Sequence, residues 1–373
     1  TACNFRCTYC YASGGEKKIR FLPFELGCRA IDIVCRNSQQ LGESIFTVGF
    51  HGGGEPTLAS KNFKKLIRYA RSKKLPCKIT VATNGYWTNE YRDWILNNID
   101  EISLSFDGIR SVHNSQRPLG SGSGSFDGVM ATIREMDGRR FPYGVRMSVT
   151  GTGIDSLLES IEFICQKTRC KTIQVEPVFD HGRARKHGCA PSDNEAFASA
   201  FLNASDIADS YGRHMYYSGA RPWVITSRFC NAPEKALVVG ENGSITTCYE
   251  VFSEEHPLAS EFFQGSLSMN GKIEIKEDTR ESFLKKINSR RALCENCFCF
   301  WHCAGDCPSK TFSSDKNGYL EFGKRCDLNR LITKELLARN IKTGNGVWQG
   351  YKEAVTGCTA RYAYESTCSP DNQ

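Results

Sequence analysis

Thr1-Ala2-Cys3-Asn4-Phe5-Arg6-Cys7-Thr8-Tyr9-Cys10-Tyr11-Ala12 opens the chain and carries three cysteines in C-x3-C-x2-C spacing, with an aromatic residue just before the third. Three thiolates on one short loop can hold three irons of a four-iron cluster. The fourth iron is then left for a ligand that is not protein. Ordinary ferredoxin-type carriers use four cysteines per cluster. A loop with one sulfur fewer therefore suits a cluster that binds something rather than one that only passes electrons. A structural zinc loop and a disulfide knot use the same residues and stay open on this motif alone.

Outward from the loop, the sequence alternates between strand and helix patterns. Apolar or β-branched runs at 44–50, 77–82, 101–106, 144–150 and 172–177 read as strands, and 22–40, 62–74, 90–97, 126–136 and 155–167 read as helices. This alternation predicts a parallel sheet with right-handed crossovers. The unusual motifs follow the strands, where parallel barrels place their active sites. They are Gly52-Gly53-Gly54-Glu55-Pro56, Thr83-Asn84-Gly85, Asp107-Gly108 and, closing the last strand, Gln174-Val175-Glu176-Pro177.

A second cysteine set lies in the C-terminal half. Cys230 and Cys248 bracket Gly243 as C-x12-G-x4-C, then come Cys294-x2-Cys297-x5-Cys303-x3-Cys307 and finally Cys326. A zinc ribbon would use four of these and leave the others unexplained.

Taken together, the opening loop, the GGEP turn and this seven-cysteine pattern resemble the radical S-adenosylmethionine (radical SAM) enzymes that carry a C-terminal SPASM extension. The resemblance spans Cys3 to about Arg330. It implies an α/β fold: a partial (β/α)6 TIM-like barrel followed by a cysteine-rich SPASM domain with two auxiliary iron–sulfur clusters. The corresponding boundaries are 1–180 for the core, 181–225 for a helical bridge, 226–330 for the SPASM domain, and 331–373 for a C-terminal helix and tail. A first strand is expected upstream of Thr1.

The resemblance also implies ligands. Cys3, Cys7 and Cys10 would hold the SAM-binding [4Fe-4S] cluster. Cys230, Cys248 and Cys307 would hold one auxiliary [4Fe-4S] cluster, and Cys294, Cys297, Cys303 and Cys326 the other. The first auxiliary set lacks a fourth cysteine; the position that supplies it in some relatives is Val224 here, and Cys189 or Cys299 could serve instead. SAM would be contacted by Gly53, Gly54, Glu55, Asn84, Ser105, Arg146 and Gln174. A guanidinium such as that of Arg146 suits a bidentate carboxylate contact. Glu250, Asp107 and Tyr249 are the candidate proton acceptors, and Arg117 falls in a loop that recurs in the family.

The implied chemistry is reductive SAM cleavage followed by hydrogen abstraction from a ribosomally made peptide, forming a crosslink or an oxidised residue. Sulfatase maturation is an alternative, although Tyr249 stands where that family has an acid directly after the cysteine matching Cys248. Oxidation or epimerisation of a sugar or aminocyclitol is another. A non-catalytic iron–sulfur scaffold is the alternative outside enzymes. Expected partners are a peptide or protein substrate and an electron donor of the flavodoxin or ferredoxin type.

Composition sets the remaining bounds. The 373 residues suit one large domain or two ordinary ones, with 40% apolar residues and a net charge of +7. No stretch approaches the ~20 apolar residues of a membrane span, and there is no signal peptide. The basic residues are dispersed. The densest stretch, Arg183-Ala184-Arg185-Lys186, is too short to predict a nucleic-acid partner. Nineteen cysteines in a chain of this length point to metal sites in a reducing compartment, hence the cytoplasm. Cys28, Cys35, Cys165 and Cys170 read as buried apolar residues. The tail from Thr343, with Cys358 and Cys368, is expected to be mobile.

Overall fold

The computed structural model describes residues 1–16, 18–190, 193–312 and 325–343. Cys358 and Cys368 lie outside them. The N-terminal unit runs α1 (Phe24–Gln40), β1 (Phe46–Phe50), α2 (Ser60–Arg71), β2 (Cys77–Thr83), α3 (Asn89–Asn98), β3 (Glu101–Ser105), α4 (Arg110–Gln116), α5 (Phe126–Arg139), β4 (Tyr143–Val149), α6 (Leu157–Lys167), β5 (Thr172–Pro177), α7 (Arg183–His187), α8 (Asn194–Ser210) and β6 (His214–Tyr216). The six strands form one sheet in sequence order, and every neighbouring pair is parallel. All five expected strands are present. The sixth is β6, inside the stretch read as a helical bridge. Three residues are too few to carry a strand pattern, and pairing with β5 rather than propensity makes this segment a strand.

The two faces of the sheet differ. Ile79, Val81, Ile102, Leu104, Val145, Met147, Ile173 and Val175 are buried against Leu66, Ile67, Ile95, Ile133, Met136, Ile161 and Ile164 from the helices. Alternate residues point the other way. Thr80, Ser103, Ser105, Arg146, Ser148, Gln174 and Glu176 give the concave face a polar, half-buried lining. Apolar burial holds the helices on the outside, and the polar side chains are collected where a ligand can meet them.

The C-terminal unit contains α9 (Ala232–Lys235), β7 (Val238–Val239), β8 (Ser244–Thr246), α10 (Ala259–Phe262), β9 (Phe263–Leu267), β10 (Ile273–Ile275), α11 (Glu277–Leu293), α12 (Phe300–Cys303), α13 (Pro308–Thr311) and α14 (Cys326–Thr343). Its sheet is antiparallel in the order β10-β9-β8-β7. Its own apolar cluster is small, centred on Val251, Leu258, Phe262 and Phe283, and a second one packs Ile245 and Leu267 against Leu26 of α1. So little core for so much loop suits a unit held together by something besides hydrophobic burial.

Candidate functional site

The opening loop lies across the C-terminal ends of the strands, and each of β1–β5 contributes to its fixation. After β1, the Glu55 N–H donates to the Ala2 carbonyl at 2.7 Å. Gly54 sits so close that a Cβ there would lie 2.2 Å from the Ala2 oxygen, so only glycine fits. After β2, Asn84 Nδ2 donates to Asn4 Oδ1 at 2.8 Å. After β3, Asp107 accepts from the Tyr9 hydroxyl at 2.6 Å. From β4, the Ser148 N–H donates to Asp107 Oδ1 at 3.1 Å. After β5, the Arg183 N–H donates to the Cys10 carbonyl at 3.0 Å. Its guanidinium donates to the carbonyls of Cys7 (2.9 Å) and Gly14 (2.7 Å). The loop also pairs with 116–120, through Arg6 N–H to the Pro118 carbonyl at 2.8 Å and Thr8 N–H to the Gln116 carbonyl at 2.9 Å.

The three loop cysteines are half-buried, and burial pushes the thiol of Cys3 up to about 11 and that of Cys7 up to about 12. Their sulfurs become good ligands only when a cation compensates the thiolate charge. Every described cysteine is a free thiol, so the described residues form no disulfide knot. No three described His, Cys, Asp or Glu side chains converge on a site for a single metal ion. A four-iron cube spaces its thiolates more widely than one ion does, and three loop thiols with compensable burial fit that donor set.

Several residues expected to touch SAM or to move protons do other work. The Glu55 carboxylate is turned inward. It accepts from Thr57 N–H and Oγ1 at 3.2 and 2.6 Å, Thr83 Oγ1 at 2.8 Å and Asn84 N–H at 2.8 Å. Asn84 is equally committed, since its Oδ1 accepts from the Tyr86 N–H at 3.1 Å. Asp107 is fully buried, paired with Arg117 Nε at 2.8 Å and bonded by Gln116 Nε2 at 3.1 Å, besides Tyr9 and Ser148. With both oxygens bonded and the side chain fully buried, it anchors the loop. Arg117 accordingly lies beneath the loop, 5.1 Å from the Tyr9 ring centroid.

The remaining candidates do line the concavity. Ser105 and Arg146 are register partners on β3 and β4. Arg146 is held protonated against the opposing effect of burial by Tyr249, Glu176, Glu250 and Tyr11 around it. Gln174 donates to Glu176 Oε1 at 2.9 Å and accepts from the Tyr216 hydroxyl at 3.3 Å. The C-terminal unit closes this mouth with residues 248–252. Tyr249 lies on His51 with ring centroids 3.8 Å apart, and Phe252 packs on Gly53 and edge-on to Tyr11. Burial pushes the Tyr249 phenol up to about 12. Glu250 accepts from Ser309 Oγ at 3.0 Å and Lys310 Nζ at 3.3 Å. Burial would raise this carboxyl, but Lys310, Arg146 and Ser309 outweigh it and hold it at about 2.

The seven C-terminal cysteines fall into two neighbourhoods. Burial raises Cys307, as do the nearby Glu250, Cys248 and Cys230. Burial likewise raises Cys294, with Cys303, Cys297 and Cys326 close enough to add to the effect. Neither suggested fourth ligand joins the first group. Cys189 lies by the opening loop, with its Sγ 3.8 Å from the Thr8 carbonyl. Cys299 sits under α14, 3.2 Å from Thr333 Oγ1. Val224 has no donor atom in its side chain, and its carbonyl faces His302 Nδ1 at 3.0 Å.

Sequence reading missed Gly182 and Arg183. Gly182 has φ 56°, and a Cβ there would lie 2.3 Å from the Tyr11 oxygen and 2.6 Å from that of Cys10. We expect Gly182→Val to lower iron bound at the opening loop by 10-fold or more, on the order of a lost supporting contact to a metal ligand. C-terminal iron should be unchanged, and iron and sulfide per chain measure both. Full iron with normal SAM affinity would show that the loop does not need this clamp.

A parallel strand–helix half-barrel with a three-thiol loop pinned over its C-terminal strand ends is the arrangement expected of a radical SAM domain. Residues 1–164 match the model of the Radical SAM superfamily, and the chain carries a radical SAM domain. Over 349 residues it is 21% identical to a cysteine-type anaerobic sulfatase-maturating enzyme of Clostridium novyi (strain NT), covering 85% of this chain and 87% of that protein. It is 26% identical to the sporulation killing factor maturation protein SkfB of Bacillus subtilis (strain 168), covering 66% of this chain and 58% of SkfB. In fold it is similar to native anSMEcpe with bound AdoMet, with a TM-score of 0.72 and 19% identity, covering 92% of this chain and 96% of that chain. Among the described residues, no helix is long and apolar enough to cross a membrane.

Proposed function

We propose that this chain uses SAM to modify a peptide or protein, forming a crosslink or an oxidised residue. The observation that carries the reading is the closed mouth: a three-thiol loop fixed by five strands, covered by the Tyr249–Phe252 loop of a cysteine-rich unit. When bound, the cluster and SAM supply reductive cleavage of the sulfonium and a primary alkyl radical able to take hydrogen from unactivated carbon. Cys3, Cys7 and Cys10 hold the cluster. The backbone of Gly53 and Gly54 and the side chains of Ser105, Arg146 and Gln174 orient SAM, with Arg146 placed to pair with its carboxylate. Glu55 and Asn84 fix the loop ends that present this backbone. Tyr249 and Phe252 exclude water. Glu250, already deprotonated, is the group positioned to receive a proton, whereas Tyr249, whose phenol burial keeps protonated, is not. The two cysteine neighbourhoods would hold auxiliary iron–sulfur clusters, which would supply a path for the electron left after hydrogen loss, and a flavodoxin- or ferredoxin-type protein would supply the electrons.

A second reading, conversion of a Cys or Ser residue to formylglycine, is favoured by the length of the match to the sulfatase-maturating enzyme. Against it, Tyr249 stands directly after Cys248, where the resemblance to the sulfatase-maturating family implies an acid.

Anaerobic incubation of the reduced, reconstituted protein with SAM should yield 5'-deoxyadenosine. Adding cysteine-containing test peptides should raise its rate and leave a peptide that is two hydrogens lighter. A hydrazide-reactive product would select the formylglycine reading. Turnover raised only by sugars would overturn the peptide reading. No deoxyadenosine with all iron present would leave the chain a scaffold.

A further inference from the structure

Arg221 stands apart from every residue used above. It lies on the segment that leads from the barrel to Cys230. That segment is docked on the second cysteine neighbourhood: the Thr226 N–H donates to the Trp301 carbonyl at 2.9 Å, and the Val224 carbonyl meets His302 Nδ1 at 3.0 Å. Cys303 follows directly, so the segment joins the two groups of thiols. The Arg221 guanidinium spends one nitrogen on the backbone, with Nη1 donating to the Phe229 carbonyl at 3.0 Å, and lies 5.0 Å from the Phe229 ring centroid. Its Nε and Nη2 are sealed from solvent and have no acceptor among the described residues. The charged groups that act on it are Cys230, Cys303, Asp306 and Glu176. Neither carboxylate hydrogen-bonds Arg221, although Asp306 Oδ2 is buried without a hydrogen bond of its own. Asp306 accepts from the Cys307 N–H at 2.7 Å and pairs with Arg325 at 3.3 Å, while Glu176 accepts from Gln174 and Ser218, each at 2.9 Å. The thiolates of Cys230 and Cys303 are the other negative groups beside it, and Arg221 Nη1 is already fixed to the carbonyl of the residue next to Cys230.

Two buried guanidinium nitrogens without partners are costly and call for an explanation, which a partner present in the working protein would supply. We propose that Arg221 donates N–H···S hydrogen bonds to the iron–sulfur groups held by Cys230 and Cys303, and so keeps their reduction potentials high enough to accept an electron from the barrel. Donors to cluster sulfur and a buried positive charge both favour the reduced, more negative state. Arg221 is thus a positioning and tuning residue that touches neither SAM nor substrate. This inference rests on the reading that the seven cysteines hold iron–sulfur clusters.

The test uses the full chain with Cys3→Ala, Cys7→Ala and Cys10→Ala, so that only C-terminal iron contributes to the spectrum. EPR-monitored redox titration is run with Arg221, Arg221→Lys and Arg221→Met. With iron content equal, Arg221→Met should lower the reduced-to-oxidised ratio of at least one cluster 10-fold at fixed potential, a shift of about 59 mV for a one-electron couple. Arg221→Lys should move it less, in the same direction. A parental potential in the fully loaded Met variant overturns the inference and leaves the cluster reading intact. If the Met variant sheds iron, a parental potential in the Lys variant overturns it. If the parent with three alanines binds no iron, the cluster reading falls and the inference with it.

Discussion

Cys7→Ala should reduce 5'-deoxyadenosine formation to the level of SAM incubated without protein, while iron and sulfide fall by one cluster and no more. Cys7 is the middle thiol of the opening loop, and its carbonyl is held by Arg183 at 2.9 Å, so the backbone has little freedom to offer another group in its place. The thiol is buried deeply enough to be pushed up to about 12, and removing it leaves the other two thiols without a third partner for the cluster. The C-terminal cysteines belong to other neighbourhoods and should keep their iron. Cys297→Ala should do the reverse. It takes a ligand from a unit whose apolar core is small, and a metal-dependent fold loses stability with its metal. That variant should become protease-sensitive from about residue 226 onward, with the N-terminal unit protected. Product assay, iron counting and limited proteolysis read both variants. SAM cleavage by Cys7→Ala at the parental rate would remove the opening loop from the chemistry.

The strands and the loop motifs were legible because parallel βα units leave strong marks: buried apolar runs, then a break in Gly, Asn or Asp at each strand's end. The cysteine spacings were legible because thiols at short fixed intervals stand out in the sequence whatever elements carry them. The sequence could not show how lone pairs are shared. Asp107, Glu55 and Asn84 stand where ligand contacts belong, yet their side-chain atoms are spent on holding the loop, which depends on partners up to 98 residues away. Arg183 and Arg221 left no mark because they bond to backbone carbonyls or await sulfur, and neither task needs a periodic pattern. In the basic stretch, Arg183 is buried under the loop, whereas Arg185 and Lys186 are exposed. The short strand β6 was hidden because its pairing partner decides its conformation.

Asp107 separates an anchoring role from a catalytic one. Asp107→Ala should destabilise the N-terminal unit by about 3–5 kcal/mol, the usual cost of stranding one member of a buried ion pair, because Arg117 would remain buried with its charge uncompensated. Tyr9 would lose its 2.6 Å bond to the carboxylate, and the loop between Cys7 and Cys10 would lose its tether. SAM cleavage and thermal stability should therefore fall together. Arg117→Met should cost a similar amount for the mirror reason. The Asp107→Ala/Arg117→Met double variant should be more stable than the sum of the single losses predicts, since it strands no charge, and the residues are in contact and must couple. A proton acceptor would behave otherwise. Its loss would slow product formation while the melting temperature and the uncoupled cleavage of SAM stayed at parental values. Melting curves and deoxyadenosine yields on the two single variants and the double variant decide between these outcomes, and a stable Asp107→Ala protein that still cleaves SAM would return Asp107 to the list of bases.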